Sequence, residues 1–300
     1  MGLPVIQTGD KAPLGKRLFI LLQQLIPQHF LSSLMYALAR SEIGFIKNSV
    51  IRIVNWMFDI NMQDAVVKDP LAYPSFNAFF TRALEPASRP LDSNSTTIIS
   101  PVDGAVSQAG HIESGLLFQA KGIHYSITAL LGGDAETAKR FSDGDFATIY
   151  LSPRDYHRIH MPVDGKLSSM THVPGELFSV NETTTSLIPG LFARNERIIN
   201  LFETPAGPMA LIMVGAIFVG SMDTVWAGTV TPSSKRISHQ EYLDQPHAEI
   251  SLEKGEEMGR FNMGSTVILL FGKNQVNLDG MIAAGREVKM GERIGTRIQA

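Results

Sequence analysis

Apolar positions between residues 11 and 57 recur with the spacing of an α-helix. The last part of this stretch carries five apolar residues at i, i+4, i+7, i+8 and i+11: Ile46, Val50, Ile53, Val54 and Met57. That spacing places all five on one helical face. Two further apolar clusters, at residues 18–26 and 30–38, lie on either side of Pro27. The pattern predicts two or three amphipathic helices in this region.

From residue 98 onward the apolar positions form short runs rich in Val, Ile and Phe, broken by Gly, Pro and Asp. The runs with the strongest strand character are 147–151, 198–202, 210–214, 217–219 and 267–271. Before them, Ser75 can cap a short helix over 76–82. We therefore predict an α+β fold, in which amphipathic N-terminal helices precede a β-rich core resembling a sandwich or a barrel.

A polar linker between residues 92 and 97 separates the two patterns. We place a boundary there, between an N-terminal helical, membrane-associating region (1–92) and a β-rich catalytic domain (93–300). The segment Pro-Val-Asp-Gly occurs twice in the second region, at 101–104 and 162–165. Each copy predicts a strand edge, a turn and a new strand, as two similar hairpin turns or a duplicated β unit.

Charge is unevenly distributed. Residues 11–57 contain six Lys or Arg residues and one Glu, a net charge of +5, so the other residues carry −8 within the total of −3. That total excludes a nucleic-acid partner of the usual basic kind. Residues 18–39 lack charge but contain Pro27, three glutamines and His29, which disfavour a transmembrane span. A helix lying on an anionic membrane fits better.

Two other interpretations of the N-terminal region stay open. The helices could simply pack on the core. A signal peptide would use Lys16 and Arg17, the apolar run 18–26 and a cleavage site at 37–39. The ten residues between that run and that site are too numerous and too polar for a typical signal peptide.

Candidate chemistry is limited by the absence of cysteine, which excludes disulfides, thiolate catalysis and Cys-ligated metals. His157 and His160 form an H-x-x-H pair after the run 147–151. A metal site would need a third ligand from another His or a carboxylate, and no H-E-x-x-H pattern is present. We expect no metal, and favour proton transfer by these histidines.

Two more residues could carry chemistry. Asp103 lies in an Asp-Gly step, which is most often only a turn. Ser265 follows Gly264 just before the run 267–271, where the ordinary interpretation is a turn entering a strand. A serine hydroxyl there can also attack the carbonyl of the preceding residue, because glycine leaves that carbonyl unshielded and lets the backbone strain.

Several segments, in this order along the chain, resemble the pyruvoyl-dependent, bacterial-type phosphatidylserine decarboxylase family. The similarity covers nearly the whole chain and is clearest over 76–271. One departure is Met263, where the family commonly has Leu, a swap that conserves volume. The segments are 76–82 (FNAFFTR), 101–104 (PVDG), 120–122 (AKG), 150–162 (YLSPRDYHRIHMP), 173–181 (VPGELFSVN), 191–197 (LFARNER), 225–229 (VWAGT) and 264–266 (GST).

The resemblance implies a precursor that cuts itself between Gly264 and Ser265. Asp103, His160 and Ser265 match the family's self-processing triad, and Ser265 becomes a covalent pyruvoyl group, the only cofactor implied. The long chain 1–264 and the short chain 265–300 would stay together as a heterodimer, either alone or within a larger oligomer, because the run 267–271 has the pattern of a core strand.

The implied activity is conversion of phosphatidylserine to phosphatidylethanolamine and CO₂. The pyruvoyl group would form a Schiff base with the substrate amine and act as the electron sink. His157 is the candidate proton donor. The implied location is peripheral, on the cytoplasmic face of the cell membrane, where an anionic surface attracts the basic N-terminal region.

Two other functions use the same residues differently. A Ser-His-Asp hydrolase would act without self-cleavage, and a non-catalytic lipid-binding β-sandwich would have lost the chemistry. Both predict an intact 300-residue chain, whereas self-processing predicts two fragments with a blocked new amino terminus.

Overall fold

A computed structural model of the chain describes residues 13–217, 221–231, 235–243, 249–264 and 266–298. The N-terminal region forms three helices, as the apolar spacing predicts: α1 (Leu14–Leu25), α2 (Gln28–Ala39) and α3 (Gly44–Phe58). Pro27 occupies the N-cap position of α2, so the chain turns sharply between the first two helices.

No single helix in the described part of the chain is both long and apolar enough to cross a bilayer. The pair Leu14–Gln23 and Gln28–Ala39, bent by 75°, meets the length and hydropathy requirements only when the two helices are taken together.

The short helix predicted after Ser75 is present as α4 (Phe76–Phe80), and the Ser75 hydroxyl accepts a hydrogen bond from the Ala78 amide. It ends two residues earlier than predicted, at Phe80. The other described α-helices are also short: α5 (Ile127–Leu130), α6 (Ala135–Phe141), α7 (Glu182–Thr185) and α8 (Leu191–Arg194).

Strands dominate after residue 97, which confirms the α+β prediction. The first nine are β1 (Thr97–Ile99), β2 (Gly104–His111), β3 (Leu116–Ala120), β4 (Ile123–Ser126), β5 (Asp145–Tyr150), β6 (Arg158–His160), β7 (Gly165–Val173), β8 (Arg197–Thr204) and β9 (Gly207–Val214). The next nine are β10 (Met222–Thr224), β11 (Gly228–Thr229), β12 (Ser238–Glu241), β13 (Ser251–Leu252), β14 (Glu257–Phe261), β15 (Thr266–Phe271), β16 (Val276–Leu278), β17 (Glu287–Val288) and β18 (Arg293–Arg297).

The largest sheet has the antiparallel order β12-β7-β8-β9-β15-β5-β2-β17, and β13 also pairs with β7. Strand β15 lies between β9 and β5, and all six of its residues are buried. The segment that follows position 265 therefore enters the interior of this sheet directly. The described strands form no closed barrel.

Neither Pro-Val-Asp-Gly segment is a hairpin turn, so that interpretation is wrong. The first leads from β1, in the sheet β1-β18-β16, to β2 in the large sheet. The second leads from β6, in the sheet β11-β10-β14-β6, to β7 in the large sheet. Each flanking strand pairs with a strand distant in sequence, so both segments are crossings between sheets.

Two apolar clusters form the interior. The larger lies around the sheets, and the smaller joins Ile51 of α3 to Phe76, Phe79 and Phe80 of α4. Met263 packs against this smaller cluster. The N-terminal helices and α4 therefore pack beside the loop that leads to position 265. The proposed boundary near residue 92 stays a prediction.

Candidate active site

His157 lies in the loop between β5 and β6 and is completely buried. Its Nδ1 atom lies 2.9 Å from the Asp155 carbonyl oxygen, which can only accept, so Nδ1 carries the hydrogen. The Phe80 ring packs on the imidazole with 4.1 Å between ring centroids. Burial lowers the pKa of His157 to about 3. The imidazole is therefore neutral at pH 7, and its Nε2 atom carries an unprotonated lone pair.

Gly264 faces this lone pair. A Cβ atom placed on Gly264 would lie 3.1 Å from His157 Nε2 and 3.4 Å from the Leu151 carbonyl oxygen. Any larger residue at 264 would push against the imidazole, so close approach is a physical reason for glycine here. Within the described residues, His157 Nε2 has no hydrogen-bond partner.

The predicted nucleophile, Ser265, lies outside the described residues. Its neighbours on both sides are described. Thr266 is fully buried at the start of β15, and its Oγ1 atom has no hydrogen-bond partner in the described part of the chain. Two unpartnered buried polar atoms, His157 Nε2 and Thr266 Oγ1, are thus associated with the segment around position 265.

His160 has different surroundings, although it lies only three residues further along. Its Nδ1 atom donates to the Gly255 carbonyl oxygen over 2.7 Å, and its Nε2 atom accepts from the Tyr156 hydroxyl over 3.0 Å. Burial lowers the pKa of His160 and raises the pKa of Tyr156 to about 12. Both ring nitrogens of His160 are therefore already occupied.

Asp103 is buried at the first Pro-Val-Asp-Gly crossing and is held by basic and amide groups. Arg89 donates from Nε over 2.8 Å and from Nη2 over 2.5 Å, and the Met290 amide donates over 2.8 Å. Lys289 Nζ lies 3.5 Å from the carboxylate. The hydrogen bonds and charge of Asp103 raise the pKa of Arg89 despite its burial.

The structure records no hydrogen bond between Asp103 and His160 in the part of the chain that it describes. The Asp103 charge nevertheless opposes the burial that lowers the pKa of both His157 and His160. Asp103 and the two histidines therefore share one electrostatic neighbourhood. Whether Asp103, His160 and Ser265 act as a triad stays a prediction.

Two cavities flank the loop 150–155, and Tyr150 lines both. The first, of about 260 Å³, is mainly apolar and includes Gly264, Met263 and side chains of α3 and α4. The second, of about 370 Å³, is polar and includes Asp103 and Tyr156. The position next to Ser265 thus borders an apolar space of the kind that accepts hydrocarbon.

The sequence alone does not single out three residues at this site, Tyr156, Arg82 and Arg89. Tyr156 directly precedes His157, and Arg82 closes the segment FNAFFTR, so both lay within segments that carry the family resemblance. Arg89 had no local signal, because its contact with Asp103 arises only from the fold. Within the described residues, no group of three or more His, Asp or Glu residues is arranged to hold a metal ion.

Comparisons with known proteins give a consistent result. A family model described as "Phosphatidylserine decarboxylase" matches residues 76–296, and one described as "PSD" matches residues 18–59. A Pseudomonas fluorescens protein is 52% identical over 280 residues, which cover 93% of this chain and 97% of the relative. A Shewanella baltica protein is 54% identical over 277 residues, covering 92% and 94%. Each relative is named phosphatidylserine decarboxylase proenzyme.

Proposed function

The chain belongs to the phosphatidylserine decarboxylase family, and from that membership we propose that it converts phosphatidylserine to phosphatidylethanolamine and CO₂. The relatives' name, proenzyme, supports a precursor that is processed into its active form. The observation on which the proposal depends most is that the Nε2 atom of the neutral His157 imidazole would lie only 3.1 Å from a Cβ atom at position 264. It places a completely buried imidazole that can exchange a proton beside position 265.

The processing step that we propose breaks the bond between Gly264 and Ser265. The Ser265 hydroxyl gives its proton to a base, its oxygen bonds to the Gly264 carbonyl carbon, and the carbon–nitrogen bond breaks as the nitrogen takes a proton. An ester results. Loss of the Cα proton of residue 265 then expels the Gly264 carboxylate. The double bond that this leaves takes up a proton at Cβ, water adds at Cα, and the nitrogen leaves as ammonia. A keto group remains on residue 265.

We assign Asp103, His160 and Ser265 to self-processing, with His160 as the base and Asp103 as its electrostatic support. We assign His157 to proton transfer during turnover. A buried imidazole with a pKa of about 3 does not hold a proton at rest. Once protonated it is a strong acid, so it returns the proton readily, which suits a donor that is charged only briefly.

The pyruvoyl group would supply an electron sink for the charge left when CO₂ departs. The residues around position 265 fit such a group, because His157 Nε2 and Thr266 Oγ1 are buried polar atoms without partners in the described part of the chain. Phe80 and the apolar cavity keep water from His157. The pairing of β15 with β9 and β5 would hold the short chain 265–300 in place after cleavage.

Mass spectrometry of the purified protein tests this proposal. We expect two fragments, 1–264 and 265–300, and a blocked amino terminus on the shorter one that reacts with phenylhydrazine. Ser265→Ala should give one inactive chain, whereas Ser238→Ala, a matched change at an exposed serine of β12, should be cut normally. An uncut wild-type chain that labels with serine-directed phosphonates would instead favour the hydrolase.

We also propose that the protein binds the cytoplasmic face of the cell membrane through α1, α2 and α3. Several large apolar side chains on these helices point into solvent, including Phe45 and Trp56, each 84% exposed. Lys16 and Arg52 are exposed on the same helices. Exposed apolar and basic side chains together favour an anionic lipid surface.

Vesicle sedimentation tests the membrane proposal. Trp56→Glu should weaken binding to vesicles that contain phosphatidylserine by about tenfold, because it places a charge where an apolar ring would enter the interface. Met281→Glu, at a side chain 68% exposed outside these helices, is the matched control. Equal binding by the two variants would contradict the proposal. Point changes are preferable to deleting 1–57, because Ile51 is part of the smaller apolar cluster.

A further inference from the structure

Arg82 is a buried cation that makes no recorded ion pair with a carboxylate in the described part of the chain. The residue is 3% exposed, and its Nε and Nη1 atoms have no hydrogen-bond partner in the described part of the chain. The recorded contact of the guanidinium is a 3.3 Å hydrogen bond from Nη2 to the Arg154 carbonyl oxygen. A guanidinium offers five N–H donors, so most of its capacity is unused.

The other cations that line the polar cavity each contact a carboxylate. Arg89 and Lys289 lie against Asp103, and Arg154 pairs with Glu287. Arg82 lines the same cavity, yet its recorded hydrogen bonds include no carboxylate. The contrast is informative because all four cations border the same space.

The carboxylates nearest to Arg82 are already engaged. Asp103 accepts from Arg89 and from the Met290 amide, and Asp155 accepts from the backbone amide and hydroxyl of Ser152. Their charges act on Arg82 from a distance, but burial still lowers its pKa. A buried charge without a bonded partner is unfavourable, and proteins keep one where a ligand of opposite charge completes the site.

We propose that the polar cavity is an oxyanion-binding site and that Arg82 is its receptor. The ligand class is a carboxylate or a phosphate ester, whose paired oxygens match the planar fork of a guanidinium. A cavity of about 370 Å³ has room for such a group. The site is adjacent to the reacting position, because Tyr150 lines both this cavity and the apolar cavity that Gly264 borders. In addition, Phe80, two residues before Arg82, packs on His157.

This inference rests on the proposed function for the origin of the anion, which has two possible sources with the same chemistry. One is the lipid headgroup, which carries a phosphodiester and a carboxylate. The other is the carboxylate that self-processing creates on Gly264. In the second case the precursor has an unpartnered arginine because its partner does not exist until the chain is cut.

Binding of inorganic phosphate and of glycerophosphoserine to the uncut Ser265→Ala protein tests the site directly. We expect calorimetry to detect both ligands, and Arg82→Met to weaken each by at least about tenfold, as expected for loss of a charge-assisted pair. The Arg82→Lys variant should bind both ligands more weakly than the protein that retains Arg82, but more tightly than the Arg82→Met variant. Arg140→Met, which removes a surface partner of Glu203, should bind normally. Unchanged binding by Arg82→Met would overturn the proposal.

Thermal unfolding without ligand provides a second measurement, which also shows whether each variant is folded. Arg82→Met should unfold at the same or a higher temperature than its parent, because it removes an uncompensated buried charge. Arg89→Met, which breaks a buried pair with Asp103, should unfold at a temperature lower by roughly 6 °C or more. If Arg82→Met lowered the unfolding temperature as much as Arg89→Met, Arg82 would have a structural role, and the proposal would be overturned.

Comparison of uncut and cut protein separates the two sources. If Gly264 supplies the anion, phosphate binds the Ser265→Ala precursor but not the cut wild-type protein. If the headgroup supplies the anion, phosphate binds the uncut and the cut protein alike. Either result supports the proposed oxyanion-binding site. Because binding is measured on an uncut, inactive chain, failure here leaves the proposed decarboxylase untouched, and an uncut wild-type chain would refute the decarboxylase without refuting the site.

Discussion

His157 and His160 lie three residues apart on one segment, but the structure gives them opposite surroundings. His157 is packed beneath Phe80, and its Nε2 atom faces Gly264 without a hydrogen-bond partner among the described residues. His160 has both nitrogens occupied, by Gly255 and Tyr156. The pKa of each imidazole is lowered by burial. The difference between them is therefore the availability of the lone pair, and not the charge state.

That difference teaches how one short segment can serve two tasks. A free lone pair inside a dry site is available for proton transfer with a group at position 265. The imidazole of His160 is fixed in place, because both of its nitrogens are hydrogen-bonded. It can accept a proton at Nε2 only if the Tyr156 hydroxyl relays that proton or moves away. The roles proposed for the two histidines, and the predictions below, depend on this contrast.

The largest expected effect comes from removing each imidazole in turn. We expect His160→Ala to remain uncut and His157→Ala to be cut but to turn over at least about 10²-fold more slowly, as for loss of a general acid or base. Intact mass measures cleavage, and release of CO₂ measures turnover. His157→Gln and His160→Gln are controls that keep a polar side chain of similar size. A cut His160→Ala protein with an uncut His157→Ala protein would reverse the assignment.

Local periodicity predicted much of the fold. The helices α1 to α4 and the buried strand β15 lie where apolar spacing indicated, because each depends on which face of a short segment is apolar. For the Pro-Val-Asp-Gly segments, the hairpin alternative is wrong, because the turn residues are the same whether the next strand pairs with its neighbour or with a distant strand. The pairings of the preceding strands show that neither segment is a hairpin, because β1 pairs with β18 and β6 pairs with β14.

The candidate site was predictable in its residue types but not in its contacts. Family resemblance identified His157, His160 and Asp103, since these lie in recognisable segments. It did not indicate that Gly264 approaches the Nε2 atom of His157, or that Arg89 holds Asp103. Those contacts bring together residues between 14 and 107 positions apart, and they depend on how loops pack between sheets.

The second prediction concerns the dependence of stability on pH. The pKa of His157 in the folded protein is about 3, below its ordinary value of 6.5. Below pH 6.5 the unfolded chain therefore takes up a proton that the folded chain does not, and stability falls as pH falls. Between pH 8 and pH 5 this lowers the free energy of unfolding by about 2 kcal/mol.

Urea unfolding of the uncut Ser265→Ala protein, with and without His157→Gln, isolates this contribution. The variant should lose about 2 kcal/mol less than its parent over that pH range. His160 titrates in both proteins and cancels in the difference. Identical slopes would mean that the imidazole of His157 is hydrated, which would remove its distinction from His160.

A third prediction tests whether the hydroxyl of Tyr156 stabilises His160. Tyr156→Phe leaves the Nε2 atom of His160 buried without a donor, so we expect a loss of about 1–2 kcal/mol in the free energy of unfolding. Tyr125→Phe, at another buried tyrosine, controls for loss of a hydroxyl elsewhere in the core. If Tyr156→Phe were neutral in urea unfolding, His160 Nε2 would be as free as His157 Nε2.

The smallest effect is expected from Phe80→Leu, which tests why His157 stays dry. Leucine keeps an apolar side chain but removes the ring that packs 4.1 Å from the imidazole, centroid to centroid. We expect a loss of about 1 kcal/mol in stability and, because water comes closer, a rise in the pKa of His157 toward its ordinary value. NMR titration of the imidazole in uncut protein measures that shift. Phe141→Leu, at a buried ring on α6, should cost similar stability without moving this pKa. A pKa of His157 that is the same in both variants would show that other groups exclude water from it, and the ring of Phe80 would then no longer explain why the two histidines differ.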